Sequence, residues 1–152
     1  MSGTFFDSSA LVKHYHTEAG SAEVDRLWND PATVLFVSRL SASEIVSAFA
    51  GKVRTGEITA ADFDVLSRRF AADARKKSFT IIRLLARHLK EAEAQIRRHG
   101  LTSRFRTLDA VQLAVALDLK ARGLVTHFVC SDRGLLAAAS AEGLSVIDPE
   151  NP

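Results

Sequence analysis

Five short runs rich in β-branched and aromatic residues alternate with helical patterns along this chain, and that alternation decides what it can fold into. The runs are Thr4–Phe6, Thr33–Val37, Phe79–Leu84, Val125–Cys130 and Leu144–Ile147, each short enough for a strand. Between them the sequence predicts helices over Ser8–His16, Ser21–Asp30, Ser41–Arg54, Thr59–Lys77, Thr107–Arg122 and Arg133–Glu142. A further helix is marked by Leu85, Leu89, Ala92 and Ile96 and ended by Gly100. Ile45, Phe49 and Val53 form one apolar stripe, and Phe63, Leu66 and Phe70 another. From Ala110 to Leu117 the pattern is apolar nearly all round, which predicts a central, buried helix. Strands that alternate with helices join through crossovers, so the class is α/β, with a parallel sheet covered on both faces. In such sheets the ligand crevice lies outside the carboxyl ends of the strands.

The chain has 152 residues, which suits one domain over 1–152 with a core large enough to need no disulfide or structural metal. Cys130 is its single cysteine, which excludes an intrachain disulfide and a Cys-rich zinc site and fits a reducing cytoplasm. The N-terminal residues lack the basic and apolar regions of a signal peptide, and no uncharged apolar run reaches a membrane span. Net charge is only +2, but 14 of the 20 basic residues are arginine. Arg97, Arg98, His99, Arg104 and Arg106 cluster in the stretch IRRHGLTSRFR. The planar guanidinium fork suits phosphate, although a solvated helix face or a protein-binding surface explains the cluster equally well.

Four acids stand where helices begin. Asp7 follows TFF, and Asp132 follows THFVCS. Glu44 comes shortly after the strand ending at Val37, in the first turn of its helix, and Asp109 opens the buried helix. Each has a local explanation. Asp7 and Asp132 fit N-caps, Ser41-x-x-Glu44 has capping-box spacing, and Asp109 complements a helix dipole. Together they suggest more. A parallel sheet brings at least three of them to one edge, where clustered carboxylates repel unless a cation joins them. Hard divalent ions with oxygen ligands answer that need, so the set points to Mg²⁺ or Mn²⁺ rather than zinc. Such a site suits phosphodiester hydrolysis.

At these residues the sequence resembles the PIN-domain ribonucleases, in particular the VapC-type toxins of bacterial toxin–antitoxin pairs. FFDSSALVKHYHTEAGS holds the first acid, Asp7, and SRLSASEIVSAFAGKVRTGEIT holds Glu44. TLDAVQLAVALDLKARG holds Asp109, and VCSDRGLLAAASAEGLSVIDP holds Asp132. The resemblance implies a three-layer α/β/α sandwich with a central, mainly parallel sheet. It also implies Mg²⁺- or Mn²⁺-dependent endonucleolytic cleavage of RNA, inhibition by a cognate antitoxin and, as is frequent in the family, a homodimer. Asp7, Glu44, Asp109 and Asp132 would be both the catalytic and the metal-binding residues. Two positions depart from the family. Cys130 stands where Thr or Ser is frequent, which touches the hydroxyl that orders the site. Gln112 stands where many members carry His, a difference read as one of packing.

Other residues have weaker claims. Ser8, Ser9 and Ser131 are candidates to bond a carboxylate or a metal-bound water, or simply to start helices. Lys13, Tyr15 and His16 lie on the first helix, where Lys13 reads as a surface residue with phosphate contact as the alternative, and Trp28 reads as packing. His14, His88, His99 and His127 are scattered, with no dyad dictated by the sequence. Asp148, before Pro149, reads as a turn residue. The apolar stripes of Ser41–Arg54 and Thr59–Lys77 read as core, and by resemblance as a place for an antitoxin segment. Two rival functions compete with the nuclease. An aspartyl-phosphate enzyme would need a second acid two residues after Asp7, and Ser9 is there. A PIN-like module that binds RNA or protein without cleavage would have no need of the four acids.

Overall fold

The computed structural model of the chain describes residues 2–152. In chain order the elements are β1 (Ser2–Phe6), α1 (Ser8–Tyr15), α2 (Ser21–Asn29), β2 (Thr33–Ser38), α3 (Arg39–Arg54) and α4 (Ala60–Arg75). There follow β3 (Thr80–Ile82), α5 (Ala86–His99), α6 (Thr107–Ala121), β4 (His127–Val129), α7 (Arg133–Ala141) and β5 (Ser145–Ile147). The described strands form one five-stranded sheet in the order β3-β2-β1-β4-β5, and every pairing is parallel. The fold is therefore the three-layer α/β/α sandwich.

The period of two along β1 sorts its side chains between the layers. Phe5 faces the core built by α5, α6 and α7, stacked on Phe128 with ring centroids 5.5 Å apart. Phe6 faces the opposite core, built by α1 to α4. Both are fully buried, and each is worth roughly 2–3 kcal/mol of transfer free energy. Ala110 to Ala116 of α6 are buried on every side, as the apolar pattern predicts.

Three local expectations are corrected. First, α3 starts at Arg39, because β2 runs straight into it and the Ser38 hydroxyl caps it by accepting the Ser41 N–H at 3.2 Å. Glu44 thus lies in the second turn, and the Ser41–Glu44 capping box does not form. Second, α5 does not bury its leucine stripe. Leu89 is 54% exposed, while His88, Ala92 and Gln95 are buried. His88 sets that rotation. Its Nδ1 accepts the Leu85 N–H at 3.1 Å, which leaves Nε2 facing Asp118 of α6 at 3.2 Å. Third, Lys13 is not on the surface, because α1 packs against α2, α3 and α4 and buries it together with Tyr15. The Tyr15 hydroxyl donates to Asp73, and Lys13, only 5% exposed, donates to Glu18 at 3.1 Å and to Glu150 at 2.7 Å.

This last group makes a stability prediction. Lys13 is the buried charge, while its carboxylate partners reach solvent. Lys13→Met removes the buried charge, and Glu18 keeps Lys52 as partner. Glu18→Ala instead leaves Lys13 and Lys52 under-compensated. Glu18→Ala should cost about 2 kcal/mol and Lys13→Met distinctly less, an order that urea denaturation of the two variants checks.

Candidate active site

The sheet order places the topological switch point, where the chain stops adding strands on one side of β1 and begins on the other, at the junction of β1 and β4, since β2 and β3 lie on one side and β4 and β5 on the other. Asp7 emerges there, directly after β1. It is 4% exposed and caps α1. Its Oδ2 accepts the Ser9 N–H at 3.2 Å and the Ser9 hydroxyl at 2.7 Å. Asp132 lies beyond the neighbouring end of β4 and caps α7, its Oδ1 accepting the Leu135 N–H at 2.8 Å. So the capping roles of both acids are real. Each leaves one carboxylate oxygen without a bond inside its own cap.

The two loops interlock. The Ser131 N–H donates to the Ser9 hydroxyl at 3.1 Å, and the Asp132 N–H donates to Cys130 Sγ at 3.1 Å. The Cys130 thiol lies 3.6 Å from Asp7 Oδ2. It therefore occupies the link between the first and last acids that a hydroxyl would otherwise make.

Glu44 comes from α3, and Asp109 from the first turn of α6, where it accepts the Arg106 N–H at 3.3 Å. The electrostatics show that all four acids share one locality. Burial pushes the Asp7 carboxyl up to about 6, its bonds to Ser9 oppose the rise, and the charges of Glu44 and Asp109 add to it. Asp109 is also raised, first by burial and then by Asp132 and Glu44, against the Arg106 N–H. Burial pushes the Cys130 thiol up, with Asp7 and Asp132 adding to it, so it stays protonated.

These donors fit a hard cation. Among the described residues no group of three or more His, Cys, Asp or Glu side chains is placed so as to hold a metal ion. Mg²⁺ does not need one, since it keeps several waters and takes one or two carboxylates. The Ser131 hydroxyl, in the loop beside Asp132, is buried without a partner, and suits a water in such a shell. The histidines that form close carboxylate pairs do so elsewhere: His14 with Asp25, His88 with Asp118 and His99 with Glu142.

A groove of about 300 Å³ opens beside Glu44 between α1 and α3, lined by Ser8, Ser9, Val12, Ser47 and Ala48. On the other side, the loop from Gly100 to Arg106 leans over the start of α7. A Cβ on Gly134 would meet the Arg104 carbonyl at 2.7 Å, so this close approach needs glycine. Arg104 and Arg106 are exposed, the Arg106 charge acts on Asp109, and the Arg104 backbone lies against the start of α7. Arg98 is instead paired to Glu142. Asp148 is a turn residue, its oxygens bonded to the Glu150 N–H and the Asn151 amide.

Gln112, read from the sequence as a packing difference, makes polar contacts inside the core. Its amide touches Glu44, Ser41 and Ser38. One signal was present: it is the only polar side chain from Ala110 to Leu117.

A five-stranded parallel sheet with Asp7 and Asp132 where β1 and β4 give way to helices fits one class of fold, and comparison with known proteins agrees with it. The PIN domain model matches residues 4–146. The chain belongs to the PIN-domain family and, within it, to the VapC-type proteins. It is 34% identical over 146 residues to Ribonuclease VapC45 of Mycobacterium tuberculosis, covering 93% of this chain and 92% of the relative. In fold it is similar to VapC20 of the same species, described as a sarcin–ricin loop cleaving toxin, with a TM-score of 0.66 at 18% identity over 89% of this chain and 94% of that one. It is likewise similar to a toxin–antitoxin complex from Klebsiella pneumoniae, with a TM-score of 0.62 at 14% identity over 98% and 99% of the two chains.

Proposed function

We propose that this chain is a Mg²⁺- or Mn²⁺-dependent endoribonuclease, the toxin of a type II toxin–antitoxin pair, acting in the cytoplasm. The observation that carries the proposal is the convergence of Asp7, Glu44, Asp109 and Asp132, where burial first and then the charges of the neighbouring acids raise Asp7 and Asp109. A site that spends stability on unpaired carboxylates is built to receive a cation. Asp7 and Asp109 would be its principal ligands, and Glu44 and Asp132 would complete the shell directly or through waters. A divalent ion bound there supplies an acidified water as nucleophile and stabilises charge on the phosphoryl and leaving oxygens. The chain's own contribution is position. Ser9 holds Asp7, the α7 cap holds Asp132, and Arg104 and Arg106 would bind the RNA backbone on either side of the scissile bond.

The printed names of the relatives support RNA as substrate and an antitoxin as partner. For that partner we favour the region of α3 and α4, where Val46 and Val65 are exposed. In the described residues, no helix is long and apolar enough to cross a membrane.

The test is cleavage of total RNA by purified, partner-free protein with Mg²⁺, with Mn²⁺ and with EDTA, beside Asp109→Asn. Discrete fragments that need metal and disappear in the variant are expected. RNA that is bound but never cut, by folded protein with metal present, would instead identify a binding module.

A further inference from the structure

We infer that Gln112 is the positioning residue for Glu44, and that through it α6 sets the geometry of two acids at once. The inference rests on the metal reading of the site. Gln112 is 1% exposed, in the middle of an otherwise apolar stretch. Every hydrogen-bonding direction that matters is used. Ser38 donates its hydroxyl to Gln112 Oε1 at 2.8 Å. Gln112 Nε2 donates to the Ser41 hydroxyl at 2.9 Å and to Glu44 Oε1 at 2.7 Å. The amide cannot be turned round, because a carboxylate only accepts and Nε2 must therefore face it.

Glu44 needs such a restraint. Its side chain is long, half-buried and repelled by Asp7 and Asp109, so without a partner it would swing towards water. A hydrogen bond to an ionised acceptor is short and strong, and this one points from the core. Gln112 lies three residues after Asp109 on α6. The helix thus delivers Asp109 directly and Glu44 at second hand. Ser38 and Ser41, both fully buried, tie the same amide to the end of β2 and the start of α3. A neutral imidazole has one donor and one acceptor, so it cannot serve all three partners.

The experiment is a double-mutant cycle of Gln112→Met and Glu44→Ala, read by calorimetric titration of the metal-free protein with Mn²⁺. Thermal melting of each variant confirms that it is folded. Gln112→Met should weaken Mn²⁺ binding roughly 10-fold, Glu44→Ala at least as much, and the double variant no more than Glu44→Ala alone. If Gln112→Met does not melt cooperatively, Gln112→Leu, which likewise has no donor for Glu44, takes its place in the same cycle. Wild-type affinity in the Gln112 variant, or effects that multiply in full, would overturn the assignment while leaving the metal site standing. Wild-type protein whose Mn²⁺ binding is absent, or is unchanged by Asp7→Asn, would overturn the metal reading itself and this inference with it.

Discussion

Asp7→Asn should reduce RNA cleavage at least about 100-fold and, in metal-free protein at neutral pH, raise the stability of the fold. The first effect follows from the proposed ligand role, since even outer partners of a metal ligand are worth roughly 10- to 100-fold. The second follows from burial. The folded protein holds the Asp7 proton more tightly than the unfolded chain does, with a pKa of about 6 against 3.8. Below about pH 4 both states are protonated and the charge costs nothing. Between there and pH 6 the unfolded chain loses its proton while the folded one keeps it, so stability falls as pH rises. Above pH 6 the penalty is complete, about 3 kcal/mol as an upper figure. Asparagine carries no charge and still accepts the Ser9 N–H as a cap, so the variant should recover about 1–3 kcal/mol of it. Urea denaturation from about pH 4 to about pH 8 reads this directly. The two proteins should converge at the acid end and separate above about pH 6. Mn²⁺ should cancel or reverse this advantage, because a ligand at roughly 100 times its Kd adds about 2.7 kcal/mol to the protein that binds it. Equal stability at every pH would mean that Asp7 reaches solvent when ionised.

Gly3→Ala should cost more than about 3 kcal/mol and strip the protein from the soluble fraction of expressing cells. Gly3 sits inside β1, paired with Val34 on β2. The chain leaving α6 for β4 crosses directly over it. A Cβ at Gly3 would fall 1.6 Å from the Leu124 carbonyl oxygen and 2.8 Å from its carbon. Those atoms are backbone and cannot rotate away. The Gly3 carbonyl also accepts the Thr126 N–H at 2.9 Å, so the two segments cannot simply part. Relief requires a shift of β4 against β1, and with it a shift of Asp132 against Asp7. Chemical denaturation of refolded variant checks the size of the loss. A variant within about 1 kcal/mol of wild type would show that the crossing has room to spare.

Much of this is legible in the chain itself, for a physical reason. The alternation of strand and helix periods is a local property, and it determined the parallel sheet, the seven helices among the described residues and the burial of α6. Capping chemistry is local too, so the apolar run before each of Asp7 and Asp132 and the helical pattern after it suffice to put both acids at strand-to-helix turns. What the residues one by one did not reveal was decided by rotation and register. Whether α5 buries Leu89 or His88 depends on Asp118, thirty residues away from His88 on another helix. Whether Lys13 faces solvent depends on Glu150 at the far end of the chain. Whether Gln112 is packing or an anchor for Glu44 depends on how α6 sits against the end of β2. The sequence alone determined which carboxylates are candidates for the proposed metal site. The tertiary structure decided how close their charges come, because polar contacts between distant segments form only when the sheet and its covering helices are in place.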